Sequence, residues 1–289
     1  MSTQTLPVIK KFIDRELLAE IETSCDLWVQ AASNRITLLA ADADKSRIVG
    51  LTVLEFADNS LFQKGLFELR SFLDGQELFG RDYRNIHIVF ETPQFTIVPD
   101  VLFDQESAPM VLQNLHELPK FYAVKSNRVD SRHWVNVYGV PDIFCSTLKV
   151  LFPHADIRHY AEFLLESFLL QNQRGHETLF VNIHDSFMDV VFFHLNELRF
   201  VNTFTFEAET DIIYFILSVA EQQKISTDKL EIILSGDVNA NGPLLQLLRK
   251  YVPGVELFKR PGGISYPASF REFQDQQYYT SLSVLLCES

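Results

Sequence analysis

Hydrophobic and polar positions trace one arrangement twice along the chain. In the clearer copy, 178–252, Leu179-Phe180-Val181-Asn182-Ile183 reads as a buried strand and His184-Asp185-Ser186 as a short polar turn. Phe187 to Leu195 is a second strand rich in β-formers. After the tight turn Asn196-Glu197, apolar residues alternate at Leu198, Phe200, Phe204 and Phe206, the period of a strand with one wet face. Glu209 and Asp211 open a helix where its dipole favours acid. Ile212, Phe215, Ile216, Val219 and Ala220 form its inward stripe. Leu230 to Leu234 is a further strand ending at Ser235-Gly236. Pro243 begins a last helix with Leu244, Leu247, Leu248 and Tyr251 on its apolar face. The order is β-β-β-α-β-α.

The first half repeats that order less cleanly. Strands are expected at Asp26–Val29, Ile36–Ala40, Ile48–Phe56 and Ile86–Phe90, with a helix capped by Ser60 burying Leu61, Phe62, Leu66, Leu69, Phe72 and Leu73. Residues 92–140 fall outside the repeat. They read as a strand (Phe95–Val98), a helix (Gln105–Leu118) and a hairpin-like stretch (Phe121–Tyr138), a small insertion in the first domain. A helix from Asp142 to Leu151, a strand from Ala155 to His159 and a helix from Tyr160 to Leu170 lead into the second copy. The fold class is α/β, with tandem duplicated ribonuclease-H-like domains at 1–154 and 155–289. A C-terminal helix at about 273–286, with Phe273, Gln277, Tyr278, Leu282 and Leu285 on one face, is a candidate to pack back on the first domain.

Composition narrows the partners. Hydrophobic residues make up 47% and charged residues 22% of 289, and the 25 phenylalanines suit a large aromatic core in a globular chain. A formal charge of −13 disfavours nucleic acid and anionic membranes, and Lys10-Lys11, Arg249-Lys250 and Lys259-Arg260 read as solvated pairs. Cys25, Cys145 and Cys287 are widely spaced, which points to reduced thiols in a cytosolic protein. The N-terminus lacks the apolar core of a signal peptide, and no run is long enough for a membrane span. A cytoplasmic location is expected.

Two β-β-β-α-β-α units with an insertion in the first resemble the actin, heat-shock-70 and sugar-kinase superfamily. The nearest branch is similar to the PilM group of type IV pilus assembly, and the pattern also resembles an uncharacterised Bacteroidetes family with an actin-like ATPase fold. The resemblance implies ATP between two domains, its phosphates held by hairpin turns carrying an acidic residue followed by glycines. Close approach of backbone N–H groups leaves no room there for a Cβ. At the first such turn Asp26 stands for the acid, but Leu27, Trp28 and Val29 follow, and Trp28 would obstruct a phosphate. Across the second, 181–189, Asn182 replaces the carboxylate that would organise Mg²⁺, no glycine remains, and Asp189 is left as a lone acid. The third motif, Ile233-Leu234-Ser235-Gly236 followed by the Gly242 helix, keeps one of two glycines, and Ser283 stands where the family often has glycine. No nucleotide, metal or catalytic residue is expected. The degenerate candidates are Asp26, Asn182, His184, Asp185, Ser186, Asp189, Ser235 and Gly236.

Other constellations favour plain readings. Adjacent His184-Asp185-Ser186 side chains point apart on one turn, unlike a catalytic triad. His154 and His159 are off the register of two helical metal ligands, and His133, His176 and His194 have no Cys or acid at ligand spacing. Ser235-Gly236-Asp237 reads as a turn rather than an anion site. A two-metal nuclease would need carboxylates on the first and fourth strands, where Asn182 and Ile232–Leu234 stand instead. The expected function is a non-catalytic cytoplasmic scaffold or adaptor for an unknown protein partner. In that reading Trp28, His184 and Phe187 fill the nucleotide space and the 92–140 insertion supplies the surface. The alternative is a divergent ATPase or sugar-kinase-like phosphotransferase binding Mg-ATP, with Asp26, Asp185, Asp189 and Ser235 converging.

Overall fold

Sheet pairing in the computed structural model, which describes residues 6–21, 24–129, 132–172, 177–194 and 196–287, follows the repeat. The chain divides into two units, one of 1–162 with 262–272 and one of 163–261 with 273–289.

In the first unit the strands are β1 (Val8–Ile13), β2 (Cys25–Ala31), β3 (Arg35–Asp42), β4 (Ile48–Glu55) and β5 (Asn85–Phe90), with helix α1 (Leu66–Leu73) between β4 and β5. The insertion follows as β6 (Phe95–Pro99), α2 (Ala108–Leu115), β7 (Tyr122–Val129) and β8 (Trp134–Pro141), and then α3 (Asp142–Leu151) and β9 (Asp156–His159). The main sheet has the order β1-β4-β3-β2-β5-β9. β2, β3 and β4 form an antiparallel meander, and β5 and β9 add in parallel. β1 escapes the alternation test because Val8, Ile9 and Lys11 are exposed on this edge strand. Ser60 does not cap α1. Its hydroxyl donates to Asp58, a 3-10 turn takes Leu61–Gln63, and the helix begins after Gly65. The boundary falls after Glu162 rather than at 154, since β9 pairs with β5 and completes the first sheet. Residues 262–272 return to this unit, where Ile48 N–H donates to Ser265 O and Ser265 N–H to Ser46 O.

The insertion is a three-stranded sheet, β6-β8-β7, with α2 packed on it through Ala108, Leu112, Val135 and Val137. Its helix is shorter than the expected 105–118. His116, just past its end, places Nε2 2.8 Å from Phe95 O, and burial lowers its pKa below 6.5. A histidine depressed in the fold contributes stability that is present above its unfolded pKa and lost as pH falls through the folded one. Protection factors in α2 and β6, which remove the intrinsic slowing of amide exchange at lower pH, should therefore fall between pH 7.5 and 5.5, and His116→Gln should flatten that dependence. Equal pH sensitivity in the variant would contradict the assignment.

The second unit contains most of α4 (Tyr160–Gln171), then β10 (Thr178–Ile183), β11 (Phe187–His194), β12 (Glu197–Thr205), α5 (Glu209–Gln222), β13 (Glu231–Gly236), α6 (Pro243–Tyr251), β14 (Gly254–Leu257) and the single turn α7 (Tyr279–Leu282). The sheet order is β12-β11-β10-β13-β14, matching the first sheet without its extra edge strand. Asp211 caps α5, its Oδ2 accepting from Glu207 and Ala208 N–H at 3.0 Å each. Leu179, Val181 and Ile183 face α5 and α6, packing with Ile212, Ile216, Leu244 and Leu248. On α6 it is Leu245 that turns inward, while Tyr251 is exposed. The opposite face stacks Phe180 on Phe168, and Phe168 on Tyr279.

The expected helix at 273–286 is not continuous. Tyr278 adopts φ +56°, and only Tyr279–Leu282 and a 3-10 turn at Ser283–Leu285 are helical. Gln276 is buried and donates to Val238 O, which ties this stretch to the end of β13. Contacts group 273–289 with the second unit rather than the first.

Candidate functional site

Parallel pairing of β10 with β13 sets Asn182 beside Ser235 and Ile183 beside Gly236, and antiparallel pairing with β11 sets Asp189 beside Asn182. These are the carboxyl ends of parallel strands, where open α/β sheets bind ligands. Asn182, Asp189 and Ser235 are fully buried and His184 nearly so. The Asn182 amide joins four side chains: Nδ2 lies 2.8 Å from His184 Nε2, 3.5 Å from Asp189 Oδ2 and 3.0 Å from Thr280 Oγ1, while Oδ1 accepts from Ser235 Oγ at 2.9 Å. His184 Nε2 meets Asp189 Oδ2 at 2.7 Å. The imidazole stacks on Phe187 at 4.0 Å, closing the turn with carbon rather than opening it to an anion.

The backbone donors at this end are engaged within the protein. His184 N–H donates to Phe187 O, Gly236 N–H to Gln276 O and Asp237 N–H to Ile183 O, at 2.8, 2.9 and 2.8 Å. A phosphate cradle needs such groups free. Of the expected residues, the structure brings Asn182, His184, Asp189, Ser235 and Gly236 together. Asp185 and Ser186 are exposed on the turn outside the network. Thr280 and Gln276 join through the C-terminal segment, which no local motif signals.

The first unit corrects two assignments. Ala31 pairs with Ile36 as Ile183 pairs with Met188, so the counterpart of the 184–186 turn is Ala32-Ser33-Asn34. Gln30, not Asp26, occupies the place of Asn182. Asp26 lies at the amino end of β2, bound by Arg84 at 2.9 and 2.6 Å and by Asn85 at 3.1 Å, and this hydrogen bonding raises the Arg84 pKa. Trp28 is in mid-strand, stacked on His87 at 5.5 Å, and obstructs no turn. Gln30 Nε2 donates to Glu91, which also accepts from Arg35 at 3.3 Å. Ser33-Asn34 was the signal available for locating this turn.

Among the described residues no three His, Cys, Asp or Glu side chains are placed to share a metal ion. His159 is buried, 3.0 Å from Thr92 O, and His154 occupies a turn with φ +68°. His133 does meet an acid, Asp100 at 3.3 Å, contributed from elsewhere in the chain. His176 lies outside the described residues. Cys25, Cys145 and Cys287 are buried thiols outside any disulfide.

This architecture is the actin-like ATPase fold. A Bacteroides thetaiotaomicron protein with actin-like ATPase fold and unknown function superposes with a TM-score of 0.79 at 18% identity, over 94% of this chain and 98% of that one. A chain of the PilM–PilN type IV pilus biogenesis complex superposes with a TM-score of 0.61 at 10% identity, over 92% and 98%. The chain belongs to the DUF3822 family of proteins of unknown function, whose model matches residues 14–255. No curated protein matches the chain in sequence. No helix among the described residues is long and apolar enough to cross a membrane.

Proposed function

We propose that the protein is a non-catalytic scaffold or adaptor of the cytoplasm that has kept the actin-like fold without its nucleotide. The observation that carries this reading is the state of the strand ends in the second unit. Asn182 stands in place of a metal-organising carboxylate, Asp189 is held by His184, and the amides of His184, Gly236 and Asp237 serve protein carbonyls. Binding Mg-ATP there would require breaking these bonds and unstacking His184 from Phe187. The second reading, a divergent Mg-ATP phosphotransferase, is favoured by the retained glycine at 236 alone.

A protein partner is supported by the insertion, which exposes Val101, Leu102, Met110, Leu115 and Phe121. The likeness to a chain of the PilM–PilN complex is consistent with such a role. The test compares proteins crosslinked to the wild type and to a Val101→Glu, Met110→Glu, Phe121→Glu variant of unchanged thermal stability. A partner lost selectively from the variant is expected. An identical set from both would contradict the placing of the surface on the insertion.

A further inference from the structure

The second sheet has a further recess at the opposite, amino-terminal ends of its parallel strands. Register sets Thr178 beside Glu231 and Glu231 beside Gly254, with Phe180, Ile233 and Glu256 forming the next row on the same face. Thr178 precedes Asn182 by roughly 13 Å of strand, so this recess is separate from the site above. A cavity of about 490 Å³ lies over these two rows, bounded by the end of α4 and by Phe258. Its size suits a small ligand or a single long side chain.

The polar groups facing it share one character. Asn172 and Thr178 are 3% and 4% exposed. Among the described residues Asn172 uses only Nδ2, at 3.5 Å from Asn196 Oδ1, and Thr178 Oγ1 has no hydrogen-bond partner. Gln171 donates Nε2 to Tyr279 Oη at 3.1 Å, which leaves Oε1 over. With the Glu231 and Glu256 carboxylates, the cavity presents a hydroxyl and a set of acceptor oxygens. Glu231 and Glu256 are diagonal neighbours across the β13–β14 pair, their backbones roughly 7–8 Å apart by sheet geometry. Gly254 leaves the floor between them bare, and it is fixed as glycine because a Cβ would meet Leu230 O at 2.7 Å. Among the described lining residues the cation is exposed Lys259 at the rim.

We propose that this cavity binds a guanidinium group on a short aliphatic stem. Like charges held apart over an empty floor are stabilised by a cation between them. A guanidinium offers more N–H donors than an ammonium, in a plane that reaches several acceptors at once. Its aliphatic stem packs on Ile233. The chain's charge of −13 favours the approach of such a cation.

The test is calorimetric titration at fixed ionic strength with agmatine, with N-acetyl-argininamide and with neutral pentylurea. Saturable binding of a guanidino compound, with pentylurea at least about tenfold weaker, is expected for loss of charge-assisted hydrogen bonds. Binding of agmatine alone assigns a free small molecule, and binding of N-acetyl-argininamide assigns an arginine of a partner chain. Glu231→Gln and Glu256→Gln should each weaken binding about tenfold, and together abolish it, with unfolding temperatures unchanged. No saturation with either guanidino compound, equal binding of pentylurea, or full binding by a folded double variant would overturn the proposal.

Discussion

Gly236→Ala should destabilise the protein by about 3 kcal/mol or more, enough to consume a large part of the stability of a typical domain. Gly236 has φ +84°, and an added Cβ would lie 2.1 Å from Ile183 O and 3.0 Å from Asn182 Oδ1. Two costs combine, the left-handed backbone and a collision with main-chain atoms of the neighbouring strand. Relief requires β13 to move from β10, which breaks the Asp237 to Ile183 bond and the Asn182–Ser235 contact together. Urea unfolding measures this directly. A loss below about 1 kcal/mol would mean that the strand ends are not packed as described. The cost of replacing Gly236 is structural.

His184→Leu is the second large effect, expected at about 3–5 kcal/mol, the range for removing one partner of a buried ionisable pair. Asp189 and His184 side chains are 0% and 2% exposed, and 2.7 Å separates them. Leucine keeps an apolar contact with Phe187 but takes away the closest hydrogen-bonding partner of the carboxylate. Asp189→Asn retains an oxygen and an amide at the same place and should cost about 1 kcal/mol, the usual net value of one hydrogen bond. Equal, small losses for both variants would show that the pair contributes little to stability.

The fold was legible where burial is one-sided or complete. Leu179–Ile183 and the stripe from Ile212 to Ala220 announce a buried strand and an amphipathic helix, and the structure places both within two residues of the reading. β1 was not legible, because an exposed edge strand has no apolar period, and its pairing with β4 is a long-range choice. The helix expected at 273–286 has a fitting pattern, but it is interrupted where Gln276 turns to Val238 O and Tyr278 adopts φ +56°. In the second unit the site was legible because Asn182, His184, Asp189 and Ser235 flank one turn or its neighbouring strand. In the first unit it was displaced. Asp26 drew attention as an acid near a strand, whereas the turn signal Ser33-Asn34 fixes the carboxyl end of β2 and puts Gln30 there. Glu91 meets Gln30 and Arg35 only through sheet pairing, which residue spacing does not encode.

The central claim, that the fold persists without its nucleotide, is tested most directly by thermal unfolding with and without millimolar Mg-ATP. A ligand at 100 times its Kd adds about 2.7 kcal/mol, which at this chain length raises Tm by roughly 5 °C. The account predicts an unchanged Tm. A rise of several degrees that requires Mg²⁺ and is lost in Asp189→Asn would contradict it, and would assign the strand ends of the second unit to Mg-ATP binding.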